Sequence, residues 1–337
     1  MPIMTYRDAL NDVMHREMER DPSVFVCGED VSGGAGGTSG EREASGGIFG
    51  VTAGLLPKFG EDRVLDTPIS ENTIVGLAVG ASLAGKRGIA EIMFADFLGL
   101  ALDQVMNQAA KFRYMSGGKA TCPVVIRAPY GAGMNMAAQH SQAMYQTITS
   151  IPGVKVAMPA SPADAKGLLT TAIRDDDPVV FFEHKAMYGR KGEVPEGEYL
   201  VPFGKAALLS EGDDATIIAM GRMVVFAEKA LKSLQEDGVN CDLIDLRTTS
   251  PLDEDAILDS VEKTGKVVVV DECPPRCSVA SDIAGFIASH GFSSLKAPVQ
   301  QVTAPHAPVP FAKELERNYV PGPAHIEAAV RKVIAYK

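Results

Sequence analysis

Residues 63–93, RVLDTPISENTIVGLAVGASLAGKRGIAEIM, carry the pattern that decides the fold. Residues 63–66 predict a short strand, and the turn Thr67-Pro68-Ile69-Ser70 follows it. Ser70 stands where an N-cap belongs, ahead of a helix of small and apolar residues over 73–84. A second buried strand is expected at 89–93. Strand, helix and strand within about thirty residues describe a parallel crossover unit.

The same alternation extends in both directions. Upstream, a helix over 6–19 with Thr5 as its N-cap stops at Asp21-Pro22, and 24–27 reads as a strand ending at Gly28-Glu29-Asp30. Residues 31–50 are rich in Gly and Ser and too poor in apolar groups for a core, so a long loop is expected there. Downstream, strands are expected at 124–128, 154–158 and 179–183, with helices at 97–110 and 163–174. Gly, Pro and charged residues over 186–205 suggest a linker between domains 1–185 and 206–337. A second alternation follows, with strands at 215–220, 241–245 and 266–271 and helices at 223–236, 253–264, 278–289 and 324–335. The expected fold class is therefore α/β, with two domains built on mainly parallel sheets covered on both faces.

Composition narrows the function. A chain of 337 residues has room for two cores. Its formal net charge of −11, with no segregated basic patch, argues against a nucleic-acid partner. Five scattered cysteines do not form a disulfide framework, and a cytoplasmic location is expected. The Cys273-Pro-Pro-Arg-Cys277 spacing lacks a second ligand pair for zinc. No apolar run reaches the length that spans a bilayer, and the amino-terminal stretch is neither a secretory signal nor a transit peptide. Gly131-Ala132-Gly133-Met134-Asn135-Met136 resembles a dinucleotide fingerprint but lacks its third glycine and the acidic residue that binds ribose.

A few polar residues draw attention by position. Glu71 follows a strand in small, apolar surroundings, where it serves either as a carboxylate stabilised by a helix dipole or as a desolvated acid able to share a proton with a heterocyclic nitrogen. Glu29 lies just past another strand. His140, within Ala137-Ala138-Gln139-His140-Ser141-Gln142, follows a glycine-rich turn after the 124–128 strand and reads either as a loop residue or as a proton carrier. Phe97 reads either as core or as a stacking surface.

Asp66-Thr67-Pro68-Ile69-Ser70-Glu71, Leu102-Asp103-Gln104-Val105, KFRYMSGG from Lys111, AAQHSQ and DAKGLLTTAIRDDDPVV occur in this order. Over essentially its whole length the chain resembles the β subunits of thiamine-diphosphate-dependent 2-oxo acid dehydrogenases. Residues 33–47, Glu183-His184-Lys185, LRTTSPLDED from Leu246 and APHAPVPF from Ala304 look most like the acetoin dehydrogenase branch, with pyruvate and branched-chain enzymes as the alternatives. The resemblance implies an amino-terminal thiamine-pyrimidine-binding domain and a transketolase C-terminal-like domain. It makes Glu71 the carboxylate that hydrogen-bonds the aminopyrimidine, Phe97 an aromatic packed on that ring, Glu29 a second acid near the cofactor, and His140 an active-site histidine handling protons during acyl transfer to lipoamide.

It further implies a K⁺ site of backbone carbonyls, here Val124, Ala172, Ile173, Asp175 and Asp177. Thiamine enzymes hold the diphosphate through Mg²⁺ on a GDG sequence with a downstream Asn. The nearest string here is Gly212-Asp213-Asp214, ahead of a second-domain strand. The Mg²⁺ ligands are therefore expected on an α subunit in an α₂β₂ assembly, and the acyl acceptor on a lipoyl-bearing dihydrolipoyl acyltransferase core. A non-catalytic docking scaffold with the same fold is the alternative from a different functional class.

Overall fold

The computed structural model describes residues 1–33 and 46–337. Most of the expected 31–50 loop, and of the 33–47 string, lies outside the described residues. The chain divides into two compact units, one formed by 1–130 with 147–203 and the other by 131–146 with 204–337.

In the first unit, strands β1 (Ile3–Thr5), β2 (Val24–Gly28), β3 (Val64–Asp66), β4 (Arg87–Glu91), β5 (Val124–Tyr130), β6 (Lys155–Ala157), β7 (Val179–His184) and β8 (Lys191–Glu193) are described. Six of them form a parallel sheet in the order β6-β7-β5-β4-β2-β3. Every residue of β2, β5 and β7 is buried, as expected of strands covered on both faces. Helices α1 (Tyr6–Arg20), α2 (Glu71–Leu83) and α3 (Pro162–Arg174) cover the sheet's crossovers. Thr5 caps α1 as expected, its hydroxyl accepting from Asp8 N at 3.0 Å. Ser70 holds the N-cap position of α2, but its hydroxyl pairs with that of Thr73 at 2.8 Å and leaves the helix amides without a side-chain cap.

Two expectations change in detail. The single helix expected over 97–110 is a 3₁₀ turn (Ala95–Gly99), a π-helical segment (Gln104–Ala109) and a short α-helix (Ala110–Met115). Apolar spacing cannot separate these, because each keeps one face inward while the ring closure differs. Here Leu100 N bonds Phe97 O, whereas Ala110 N reaches back five residues to Val105 O. The stretch expected as a linker packs on the first unit: β8 pairs antiparallel with β1, and Val194 and Val201 are buried. Gly167 of α3 admits Val201 closely, since an added Cβ would lie 2.5 Å from its Cγ2.

The second unit contains β9 (Ala207–Ser210), β10 (Ala215–Ala219), β11 (Cys241–Asp245), β12 (Val267–Val270) and β13 (Gln300–Val302), ordered β13-β12-β10-β11-β9. All neighbours are parallel except β9, which is antiparallel to β11. Its helices are α4 (Arg222–Glu236), α5 (Glu254–Thr264), α6 (Val279–His290), α7 (Lys313–Tyr319) and α8 (Pro323–Ile334). No helix among the described residues is long and apolar enough to cross a membrane.

Candidate active site

Three adjacent strands, β4, β2 and β3, deliver three of the expected residues at their carboxyl ends, where open α/β sheets place ligands. Glu29 follows β2 directly, Phe97 follows β4, and Glu71 opens α2 after the turn from β3. Thr67 N donates to Gly28 O at 3.0 Å and ties the ends of β3 and β2 together. At Gly28 only a glycine fits, because a Cβ would lie 2.8 Å from Glu91 O and 2.9 Å from Val31 Cγ1.

Glu71 is 8% exposed and has no hydrogen-bond donor among the described residues. Position in the first turn gives its carboxylate the favourable end of the helix dipole, but not a partner. Burial raises the pKa of Glu29, and Asp30 and Glu71 raise it further, which places Glu29 and Glu71 in one electrostatic neighbourhood. Thr67 Oγ1 is also buried there without a hydrogen bond. Phe97 is half-buried and meets Phe94 edge to face at 6.1 Å. Such a pair of acids, one desolvated and unsatisfied, suits a ligand that brings its own donor, such as a protonated ring nitrogen beside an amine.

Below these ends lies a network the sequence reading left inside the strands. Arg127 of β5, fully buried, forms a fork with Glu183 of β7 (Nε to Oε1 2.6 Å, Nη2 to Oε2 2.7 Å) and also bonds Glu91 of β4. Tyr188 donates to Glu183 at 2.8 Å. Glu91 sits directly across from Arg127 in the ladder, while Pro129 pairs with Glu183. Two acids therefore share one guanidinium, and burial pushes the Glu91 pKa up despite Arg127. The available signal was a charged residue within or at the end of each of three neighbouring strands, Glu91, Arg127 and Glu183.

His140 lies in 131–146, a segment of the second unit, and is half-buried. The expected carbonyls lie around the end of α3 and the start of β5. Arg87 Nη1 donates to Ile173 O (3.2 Å) and Asp175 O (2.9 Å), so two of the five oxygens converge on one cationic nitrogen. Ala172 O accepts from Asp175 N. The carboxylates of Asp175 and Asp177 turn to Lys155 and, for Asp177, to Arg113 at 2.7 Å. Val124 opens β5, one position before the Val125 and Val179 pairing that follows this turn.

Gly212-Asp213-Asp214 forms a turn packed on 240–242: Gly212 N donates to Asp242 Oδ1 at 2.9 Å, and Asp214 Oδ2 accepts from Asn240 N at 2.7 Å. These carboxylates serve the turn. Cys273 is buried and Cys277 exposed, both as free thiols, and no acidic, His or Cys cluster able to hold a metal occurs among the described residues.

Comparison with known proteins shows the family. Residues 3–191 match the transketolase pyrimidine-binding domain and 204–326 the transketolase C-terminal domain. The chain is 54% identical to the β subunit of acetoin:2,6-dichlorophenolindophenol oxidoreductase of Cupriavidus necator, over 97% of this chain and 96% of the relative. The Bacillus subtilis protein of the same name is 50% identical over 98% and 97%. The 2-oxoisovalerate dehydrogenase β subunit of Bacillus subtilis is 45% identical over the full length of both. A solved split-gene transketolase described as an inactive β4 tetramer superposes with a TM-score of 0.78 at 23% identity, covering 99% of each chain, and so shares the fold.

Proposed function

From the premise that this chain belongs to the β subunits of thiamine-diphosphate-dependent 2-oxo acid and acetoin dehydrogenases, two-domain α/β proteins of the transketolase type, we propose that it serves acetoin cleavage. The acetoin assignment is supported by identities of 54% and 50% to acetoin β subunits against 45% to the 2-oxoisovalerate relative. The observation that carries the thiamine site is Glu71, buried at the start of α2 without a donor among the described residues.

When bound, thiamine diphosphate supplies a carbon nucleophile and an electron sink for breaking the bond between the carbonyl and carbinol carbons. Glu71 would hydrogen-bond the aminopyrimidine ring nitrogen, and its burial away from water favours that bond. Phe97 covers an apolar ring face and Glu29 adds negative charge beside it. His140 handles the proton that accompanies acyl transfer. Acetaldehyde leaves, and the acetyl unit passes to a lipoyl disulfide of a dihydrolipoyl acyltransferase, which is reduced as it is acylated. Among the described residues nothing offers the diphosphate a metal, so an α subunit in a cytoplasmic α₂β₂ assembly is assigned the Mg²⁺ ligands. A K⁺ at the end of α3 would be held by the Val124, Ala172, Ile173, Asp175 and Asp177 carbonyls, sharing Ile173 and Asp175 with Arg87.

The test is reconstitution with the α subunit and Mg²⁺, followed by turnover of acetoin, pyruvate and branched 2-oxo acids. Acetoin is expected to lead, and a clear preference for pyruvate would refute the substrate assignment. In the same complex Glu71→Gln is expected to slow exchange of the thiazolium proton by about 10²-fold or more, the scale of acid–base assistance. Undiminished exchange would remove Glu71 from its role.

A further inference from the structure

The backbone of 131–146, which carries His140, is unusual. It enters the left-handed region at Gly131 (φ 95°), Gly133 (φ 103°), Asn135 (φ 57°) and Ala137 (φ 60°). For the two non-glycine residues this region is sterically unfavourable, so something must hold them there. At Gly133 a Cβ would also lie 2.4 Å from Arg222 Nη1, which would have to shift.

The restraint comes from buried acids of the second unit. Glu316 of α7, 3% exposed, accepts from Gly133 N through Oε1 at 2.8 Å and from Asn135 N through Oε2 at 2.9 Å. Glu272 accepts from Ala132 N at 2.7 Å, and Arg222 donates to Ala132 O at 2.9 Å. At the far end of the segment the Tyr145 hydroxyl donates to Asp271, which also accepts from Cys273 N (2.8 Å) and Ala280 N (3.1 Å). Burial pushes Asp271 up to about 6 even with these donors, so placing it there is costly. Three buried carboxylates therefore bind the two ends of one fifteen-odd residue segment whose middle bears His140.

We propose that Glu316, assisted by Asp271 through Tyr145, is a positioning residue for His140, fixing the strained backbone so that the imidazole meets the acyl acceptor in one orientation. The proposal rests on the reading of His140 as the proton carrier in acyl transfer. It gives the C-terminal unit a part in the reaction. The carboxylate form is specific: an amide at 316 offers one acceptor oxygen and turns an NH₂ toward the second backbone N–H.

The test is a double-mutant cycle on the reconstituted αβ complex, reading single-turnover acyl transfer to free lipoamide together with thiamine diphosphate affinity. Expected are a fall of about tenfold for Glu316→Gln and about 10²-fold or more for His140→Ala, with unchanged cofactor affinity and no further loss in the double variant. Tyr145→Phe, which leaves Asp271 its two backbone donors, gives a second arm should Glu316→Gln fail to assemble. It is expected to slow transfer about threefold in the parent and not at all in the His140→Ala background. Losses that multiply in the double variants, or full activity in Glu316→Gln, would overturn the positioning role while leaving His140 in place. Unaltered transfer in His140→Ala would instead overturn the reading of His140, and the proposal with it.

Discussion

Arg127 shows how one side chain sets the interior of the first unit. It is fully buried between Glu91 and Glu183, and its removal would strand two carboxylates away from water. Breaking a buried pair on one side costs about 3–5 kcal/mol, far more than an exposed ion pair contributes. Arg127→Met is therefore expected to destabilise the chain by at least about 3 kcal/mol in urea melts at neutral pH. Protonation of the stranded Glu91 should recover part of this loss on acidification, because burial already holds it above its ordinary range. A loss below 1 kcal/mol, or one that does not vary with pH, would show that the network is not an electrostatic keystone. Its residues were readable as strand members but not as partners. The letters Glu91, Arg127 and Glu183 say nothing of register, and only the β4-β5-β7 pairing brings them together. Glu71 was legible sooner, because a lone acid beside a helix start in apolar sequence is unusual without any knowledge of pairing.

Among elements, α1, α2, α3 and β2 to β7 could be expected because their apolar spacing and turn residues agree. The 95–115 stretch shows the limit, since 3₁₀, π and α turns bury the same residues and differ only in which carbonyl each amide reaches. Gly76 of α2 lets the Gln104 side chain approach closely, with Oε1 3.3 Å from where a Cβ would stand. The end of α3 offers a test at this scale. Arg87 already brings positive charge to the Ile173 and Asp175 carbonyls, so a bound K⁺ must add to that arrangement. If the cation binds the folded state alone, a concentration 100 times its dissociation constant stabilises by about 2.7 kcal/mol. The melting temperature is expected to rise by several degrees in KCl over choline chloride at equal ionic strength. Equal melting in the two salts would mean that Arg87 suffices for the turn.

At the scale of the molecule the decisive fact is an asymmetry between what the chain offers a cofactor and what it withholds. On the proposed reading, the ends of β4, β2 and β3 offer a buried Glu71, Glu29 and an aromatic ring to the uncharged end of thiamine diphosphate. The chain's net charge of −11 and the absence of a candidate metal cluster among its described residues offer nothing comparable to a diphosphate. A diphosphate left in water keeps its hydration, so the pyrimidine contacts alone should bind weakly. Thermal melting makes this measurable, because a ligand stabilises the fold only as far as it binds it. Thiamine diphosphate with Mg²⁺ is expected to leave the melting temperature of this chain unchanged when added alone. With the α subunit present, saturating cofactor is expected to raise the transition by several degrees, and Glu71→Ala to abolish most of the rise. A comparable rise without the α subunit would place a complete cofactor site on this chain, and a missing rise in the complex would mean that the two chains do not share one.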